Sequence, residues 1–573
     1  MSLVVLVQPP VQDFYLTKKR TIPYGLLSMA ASLKARGYAA AILDSLAADK
    51  AKPLALPDEF AFLSPFYGRP DQSLFCLFHQ FRHFGYSFEH IARTVQQQQP
   101  FLVGISSLFS PYHATAMATA AAIRQSNPEI PIVMGGHHPT LFPEAVAAAP
   151  YVDYVLRGEA EETLPLLCRA LEHGMPVDRI PGIAFQDNGK ITVNPPHWTP
   201  DLSRLPLPDQ KNQGYYRRKN QDALVIVASR GCPMPCSYCS VSATSSHGTF
   251  RRRPVSDVLR EIQTPADTGE IGFIDFEDEN LSLDKPWFLA LLAGIRKIFP
   301  DKQVELRAMN GLFPPSLDAE TITAMADTGF KTLNLSLGSA SGTQLQRFKR
   351  PDVRAAHDRA IALARKNNLA CVSYIIAGAP NQTPEDSLKD LLYLAARPTL
   401  AGLSIFYPAP GSQDYDKCRF LGILPENFSL MRSTAFPLDH TTSRLQAVTL
   451  LRLCRILNYI KHRIDTGLAL PAPEAPPSDV SALGIDCTST RISPSISVSA
   501  TETKESFPAD PSTNRDTISE KLLAWFLFDA KIRGMDKDGQ IYLHKTDPIL
   551  CRTFITAIHE IPLSGVHCLP ALH

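Results

Sequence analysis

From residue 3 to about 175, short apolar runs alternate with amphipathic stretches. Residues 3–7 are continuously apolar, 24–34 carry apolar side chains at helical spacing and stop at Gly37, and 39–43 are apolar again and end at Asp44. After an irregular stretch the pattern resumes, with strands predicted over 102–106, 130–134 and 152–156. Helices are predicted between and after them, over 113–125, 144–148 and 161–173. Strands of this length alternating with helices predict a parallel, doubly wound sheet. Ligands of such sheets bind outside the carboxyl ends of the strands. The loops at those ends are 8–10, Asp44, 106–107, 135–138 and 158–159. The pair Gly135-Gly136 would let backbone approach a ligand closely.

Residues 45–100 are less regular. Phe75, Phe78, Phe81 and Phe84 recur every third position, which predicts the buried stripe of a helix and offers a weaker case for a lid. Residues 176–222 predict a hairpin followed by a proline-punctuated linker. Alternation then returns. Strands are predicted over 223–228, 271–276, 304–309, 332–337, 370–376 and 402–407, with helices over 255–263, 287–298, 318–327, 357–366 and 384–395. Six strands alternating with helices predict a second α/β unit, with polar groups gathered at the carboxyl ends of its strands, as in complete α/β barrels.

The final third changes character. Residues 419–465 read as mostly helical, with Leu445, Leu450, Leu451, Cys454, Leu457 and Ile460 as the apolar stripe. Residues 468–516 are rich in Pro, Ser and Thr and predict a disordered linker. A helix over 518–533, a hairpin at 537–540 and a strand over 541–544 predict a small appended α+β element. The domain plan is therefore 1–175, a hairpin and linker over 176–222, a core over 223–418, a helical extension over 419–466, a linker over 467–516 and a terminal element over 517–573.

Composition narrows the function. At 573 residues the chain suggests about three or four domains, and a 45% hydrophobic content can fill their cores. A net charge of +1 provides no basic field for nucleic acid. No run of 18 uncharged apolar residues occurs, and the first ten residues lack a basic leader, so a soluble cytoplasmic protein without a membrane span is expected. Of eleven cysteines only Cys232, Cys236 and Cys239 cluster, which fits a reducing compartment and not a disulfide framework.

Those three cysteines, in SRGCPMPCSYCS, are spaced C-x3-C-x2-C just after the strand predicted over 223–228. Crowded thiolates suit a soft metal or an iron–sulfur cluster. A closed site needs a fourth ligand. His247 could complete a zinc site; without it, a cubane would keep one iron open. A structural zinc loop and an ordinary electron-transfer cluster both remain readings of the spacing. Cys551, His559, His567 and Cys568 are too irregularly spaced for a zinc site.

With Tyr238 before the last cysteine, the motif resembles the signature of radical S-adenosylmethionine (SAM) enzymes. The segments PYGLLSMAASLKARGYAAAILD, VGISSLF, IVMGGHHPTLFPE and VDYVLRGEAEET are similar to the cobalamin-binding domain that precedes many radical SAM cores. The resemblance spans about residues 1–440. It implies a flavodoxin/Rossmann-like cobalamin-binding domain, then a partial (β/α)6 radical SAM barrel, then a helical and small α+β C-terminal region.

The implied cofactors are a 4Fe–4S cluster on Cys232, Cys236 and Cys239, SAM, and cobalamin. Glu277, Asp278 and Glu279 stand where the family binds the SAM amino group. Ser336 and Gly338 lie on the fourth strand, where the family often has Glu-Ser; glycine at 338 departs from that. Gly378 and Pro380 match a Gly-x-Pro near adenine. Ser106, Ser107, Gly135 and Gly136 are the implied cobalamin contacts. The chain lacks Asp-x-His-x-x-Gly, so cobalt is expected without that axial histidine; His137 and His138 are the nearest substitutes. Arg251–Arg253 reads as a solvated basic run, or as a partner for a carboxylate or for the corrin's amide-rich rim. The implied activity is reductive cleavage of SAM to a 5′-deoxyadenosyl radical, for methylation of an unactivated carbon. Cyclisation, rearrangement or oxidation without methyl transfer is an alternative, and an iron–sulfur redox sensor is an alternative of another class. An electron donor such as a flavodoxin or ferredoxin is implied, and the substrate is unidentified.

Overall fold

A computed structural model describes the chain except for residues 16–21, 49–50, 68, 79, 211–216, 219–220, 246–248, 302–303, 478–510 and 567–573. The first domain is built on β1 (Leu3–Gln8), β2 (Ala39–Asp44), β3 (Leu102–Ser106), β4 (Ile132–Gly135) and β5 (Tyr154–Leu156). All five are parallel, in the order β2-β1-β3-β4-β5. The run in β1 is continuously apolar because both of its faces are covered. Val5 and Val7 join one core with Val103, Ile105 and the helices Phe88–Gln98 and His113–Ser126. Val4 and Leu6 join another, on the opposite face, with the helices Tyr24–Ala35 and Thr163–Glu172.

The predicted hairpin forms as β6 (Ile183–Asp187) and β7 (Lys190–Val193). It extends the sheet instead of standing in a linker, because β6 pairs antiparallel with β5. The phenylalanine stripe is a correction. The described residues of 71–81 form no helix, and Arg82–Phe84 is the central strand of a small antiparallel sheet with Val11–Asp13 and Ala51–Pro53. Phe75 and Phe81 are buried all the same, in a cluster with Phe14, Phe60 and Tyr67. Tertiary packing of aromatics, and not a local period, set their spacing.

The second unit carries β8 (Gln221–Ile226), β9 (Ile271–Phe276), β10 (Glu305–Arg307), β11 (Thr332–Gly338), β12 (Ala370–Ala377) and β13 (Leu400–Ile405). Strands β8-β9-β10 and β11-β12-β13 form two parallel groups. Parallel bridges Leu306↔Phe330 and Leu312↔Leu335 join them into one partial barrel. Ile274 and Phe276 point to the outer helices, which leaves Phe273 and Asp275 on the opposite face of β9.

The free edge of β13 is covered by the helix Arg444–Asp465, which begins at a capping box of Ser443 and Gln446. Asn458 closes the edge by accepting from the Ala401 N–H and donating to the Ala401 carbonyl. The helical extension is shorter than predicted: between Gln413–Phe420 and Arg444–Asp465 lie only single turns at Phe428–Leu430 and Ser433–Ala435. The helix Pro511–Asp529, a hairpin of Arg533–Met535 with Ile541–Leu543, and the helix Pro548–Glu560 share the core of Arg444–Asp465. Most of the predicted disordered linker, with His567 and Cys568, lies outside the described residues. Among the described residues no helix is long and apolar enough to cross a membrane.

Candidate functional site

The end of β8 leads directly into the cysteine loop, and the acidic stretch after β9 organises it. The three acids have separate partners. Asp278 is buried and accepts from the Ala228 N–H at 3.2 Å and from both the N–H and hydroxyl of Ser229 at 2.5 Å. Burial pushes its carboxyl up to about 7, against those hydrogen bonds. Asp278 therefore differs from the expectation for all three acids: it is taken up by the backbone of Ala228 and Ser229 and the Ser229 hydroxyl, where it fixes the start of the loop. Glu279 accepts from the Gly231 N–H at 3.2 Å, next to Cys232, and burial raises its pKa. Glu277 accepts from Asn310 at 3.1 Å beside the barrel mouth.

Cys232, Cys236 and Cys239 are half-buried and free. Burial pushes the Cys232 thiol up and the Cys239 thiol up to about 11, so loading metal must displace protons. Two side chains the sequence did not single out aim N–H groups at the sulfurs. Asn280 Nδ2 stands 3.7 Å from Cys232 Sγ, and Arg350 Nη1 stands 3.8 Å from Cys236 Sγ. Asn280 Oδ1 and Arg350 Nε are buried without protein partners. Among the described residues, no group of three His, Cys, Asp or Glu side chains could hold a single metal ion. Three thiols, two of them with N–H donors to their sulfurs, and open polar atoms beside them fit a multi-iron cluster. His247, the candidate fourth ligand for zinc, lies outside the described residues.

Arg350 also occupies the ground where an acid was expected. Its Nη2 bonds the Ser336 carbonyl and, at 2.9 Å, the Ser336 hydroxyl. Gly338 has φ +84°, and a Cβ there would lie 3.3 Å from Arg350 Cδ. The strand register shifts between Ser336 and Gly338, re-aiming this end of β11. Gly378 (φ +76°) and the buried Pro380 form the turn after β12, which Gln382 closes onto the Ile376 carbonyl and the Ala379 N–H. Asp275, on the inward face of β9, has one oxygen without a partner. Burial, with Glu277 and Glu305 near, pushes it up to about 7. Its sequence signal was available: in IGFIDFEDEN it alternates with the core residues Ile274 and Phe276.

In the first domain, the loops after β3 and β4 interlock. Ser107 accepts from the His138 N–H, and its hydroxyl meets His113 Nδ1 at 3.2 Å. Gly136 (φ +118°) lies against Ser107, where a Cβ would sit 2.6 Å from the Ser107 carbonyl oxygen. His138 is buried, with Nδ1 3.0 Å from the Ser110 hydroxyl and its ring stacked 3.7 Å over His113. Burial pushes His113 down to about 4 and His138 to about 3. His137 is half-buried, with Phe109 edge-on at 6.3 Å. Ser106 is half-buried, and Leu108 and Phe109 beyond it are about half exposed.

The two ligand edges meet. The short helix His137–Leu141 touches Val241–Thr244, just after Cys239. Arg230, two residues before Cys232, pairs with Glu161 at 2.5 Å and Glu159 at 3.4 Å, and Arg251 pairs with Glu159 at 2.7 Å. Arg253 pairs with Glu261 at 2.6 Å and donates to Tyr24. The basic run 251–253 is therefore largely a domain clamp. On the far side, Arg432 donates to the Gln12 and Pro111 carbonyls and pairs with Asp13 at 3.2 Å.

A family model described as a B12 binding domain matches residues 76–168, and one described as the radical SAM superfamily matches 226–394. The chain is 26% identical over 387 residues to an uncharacterized methyltransferase of Pyrococcus horikoshii, covering 66% of this chain and 83% of that protein. It is also 26% identical over 339 residues to the anaerobic magnesium-protoporphyrin IX monomethyl ester cyclase of Rubrivivax gelatinosus, covering 57% of this chain and 60% of the cyclase. Among solved structures it resembles the radical S-adenosylmethionine methyltransferase TsrM from Kitasatospora setae, with cobalamin and a [4Fe-4S] cluster bound. The TM-score is 0.57 at 18% identity, over 74% of this chain and 75% of TsrM.

Proposed function

The chain is a radical SAM protein with a B12-binding domain ahead of its barrel, and from that premise we propose that it methylates an unactivated carbon, with cobalamin, SAM and a 4Fe–4S cluster as cofactors. When bound, the cluster supplies the electron that splits SAM to a 5′-deoxyadenosyl radical, and cobalamin carries the methyl group. One observation carries the reading: the Ser107–Gly136 edge of the first sheet and the cysteine loop share a boundary locked by Arg230, Glu159 and Glu161.

The chain's own residues have distinct tasks. Cys232, Cys236 and Cys239 would hold the cluster, with Asn280 donating to the Cys232 sulfur and Arg350 to the Cys236 sulfur. Glu277 and Glu279 would meet the SAM ammonium, while Asp278 holds the Ala228–Ser229 backbone. Ser336 and the turn at Gly378 and Pro380 would flank the nucleoside. Ser106, Ser107, Gly135 and Gly136 would receive cobalamin at the interlocked loops of the first sheet. A flavodoxin or ferredoxin provides electrons.

The resemblance to the cyclase favours a second reading, ring closure without methyl transfer. Anaerobic reconstitution followed by product analysis with methyl-labelled SAM separates the two. Methylation yields 5′-deoxyadenosine together with S-adenosylhomocysteine and label in the product, whereas ring closure yields deoxyadenosine alone. No deoxyadenosine from a protein that holds both cluster and corrin would sink both readings and leave a redox sensor.

A further inference from the structure

The reading above requires an electron from outside, and one surface of the molecule is joined directly to the cysteine loop. Ser237 separates Cys236 from Tyr238 and Cys239. Its N–H donates to the Phe348 carbonyl at 2.9 Å, and its carbonyl accepts from the Asp414 N–H at 2.8 Å. Its hydroxyl donates to Asp414 Oδ2 at 2.8 Å and lies 3.2 Å from the Arg347 carbonyl. Two surface elements, the turn following the helix Gly342–Arg347 and the helix Gln413–Phe420, thus grip one residue of the loop.

Their outer faces share a chemistry. Arg347, Lys349 and Arg419 are exposed, and Lys417 is partly so. Asp416 pairs with Arg419 at 2.7 Å. Lys349 and Lys417 both lie near enough to Asp414 to act on its charge, which places them on one patch. At the end of the second helix Phe420 is 90% exposed and Leu421 40% exposed. Their turn is fixed by the Leu421 N–H on the Lys417 carbonyl and the Ile423 N–H on the Cys418 carbonyl. A fixed aromatic in water beside a cationic rim has the layout of a small, transient interface, with apolar anchor and charged surround.

We propose that this patch docks an acidic one-electron carrier protein of the flavodoxin or ferredoxin type. Lys349 and Lys417 steer it, Phe420 and Leu421 seat it, and Ser237 lies between it and the cluster. The carrier loses one electron and the cluster gains it; no bond or proton changes hands at the surface. Redox encounters use small interfaces whose association rates depend on charge and salt.

The test uses full-length protein with its cluster reconstituted, and reduced flavodoxin as the probe. Cluster reduction is followed by stopped flow, and binding of oxidised flavodoxin by calorimetry, which needs no turnover. In Lys349→Glu/Lys417→Glu, the flavodoxin-driven rate and the affinity fall at least about tenfold at low salt, the gap narrows as salt rises, and dithionite reduces the cluster as before. Phe420→Ser weakens binding with its salt dependence unchanged. Unchanged flavodoxin kinetics in both variants would overturn the proposal, and so would equal losses with flavodoxin and dithionite, which would mean the loop itself was damaged. A change in oligomeric state with unaltered flavodoxin kinetics would also overturn it, in favour of self-association. Failure of the wild type to cleave SAM with dithionite would count against the proposed function and leave the docking result standing.

Discussion

Arg350 Nη1 lies 3.8 Å from Cys236 Sγ, and among the described residues no carboxylate pairs with this buried guanidinium. A cation in such a place is ordinarily matched by an anion. Its match is the anionic cluster site. Adding an electron there is easier with a positive charge alongside, so Arg350→Gln should make the cluster harder to reduce. A unit charge near 4 Å is worth up to about 4 kcal/mol at moderate dielectric, and about 60 mV accompanies each tenfold change for one electron, so a shift of roughly 60–150 mV downward is expected. Arg350→Lys should recover part of it. Potentiometric titration of the electron paramagnetic resonance signal measures both.

At Gly136 the backbone has φ +118°, and a Cβ would sit 2.6 Å from the Ser107 carbonyl oxygen. A side chain there incurs about 1–3 kcal/mol of backbone strain before the clash is counted. Gly136→Ala should therefore weaken cobalamin binding by more than about tenfold while iron content stays at the wild-type level. Corrin absorbance and iron analysis on the same sample separate the two losses.

The alternating pattern located both sheets because it reports burial on two faces, as Val4 and Leu6 against Val5 and Val7 show. The three cysteines were legible because their chemistry is local. What sequence could not reveal was long-range. Arg350 reaches Cys236 across 114 positions, and Arg230 reaches Glu161 across 69. Phe75 and Phe81 mimicked a helical stripe because the aromatic cluster that receives them is assembled from distant segments, including Phe14 and Phe436. Asp278 looked interchangeable with its neighbours until its hydrogen bonds to Ala228 and Ser229 were seen.

Acid should loosen the C-terminal element first. His544 is buried against Asp71 at 3.4 Å. Burial and the nearby Arg452 push its imidazole down to about 4 from 6.5. Burial opposes ionisation of Asp71, yet hydrogen bonds from His544 and Ser73 hold its carboxyl below the ordinary range. At neutral pH the pair is thus a neutral imidazole beside a carboxylate. Between about pH 6.5 and 4 the unfolded chain takes up a proton on residue 544 that the folded chain refuses. Stability therefore falls with pH across that window, by about 3 kcal/mol in full. Fluorescence of the buried Trp525 should report release of this element before the rest unfolds, and His544→Gln should flatten the dependence.

The clamp between the two domains offers a test that separates stability from coupling. Glu161 accepts from Arg230 at 2.5 Å and from Ser28 at 3.0 Å, all three buried or nearly so. Burial alone would lower the Arg230 pKa, but Glu161 and Glu159 hold it above its ordinary value. Glu161→Gln removes the closer carboxylate and leaves the guanidinium with Glu159 at 3.4 Å. Complete loss of a partner from a buried pair costs about 3–5 kcal/mol, and the remaining acid should reduce that to about 2–3 kcal/mol. Replacing Arg230 as well, in Glu161→Gln/Arg230→Met, removes the stranded charge and should restore part of the stability, a non-additivity expected of groups in contact. Coupling should not return with it. Arg230 stands two residues before Cys232, so a chain without the clamp leaves the cysteine loop free to shift against the Ser107–Gly136 edge. Both variants should then release more 5′-deoxyadenosine per methylated product than wild type, while iron and corrin contents stay level. A double variant that regains stability and also regains wild-type coupling would show that the clamp holds the domains together without aligning them.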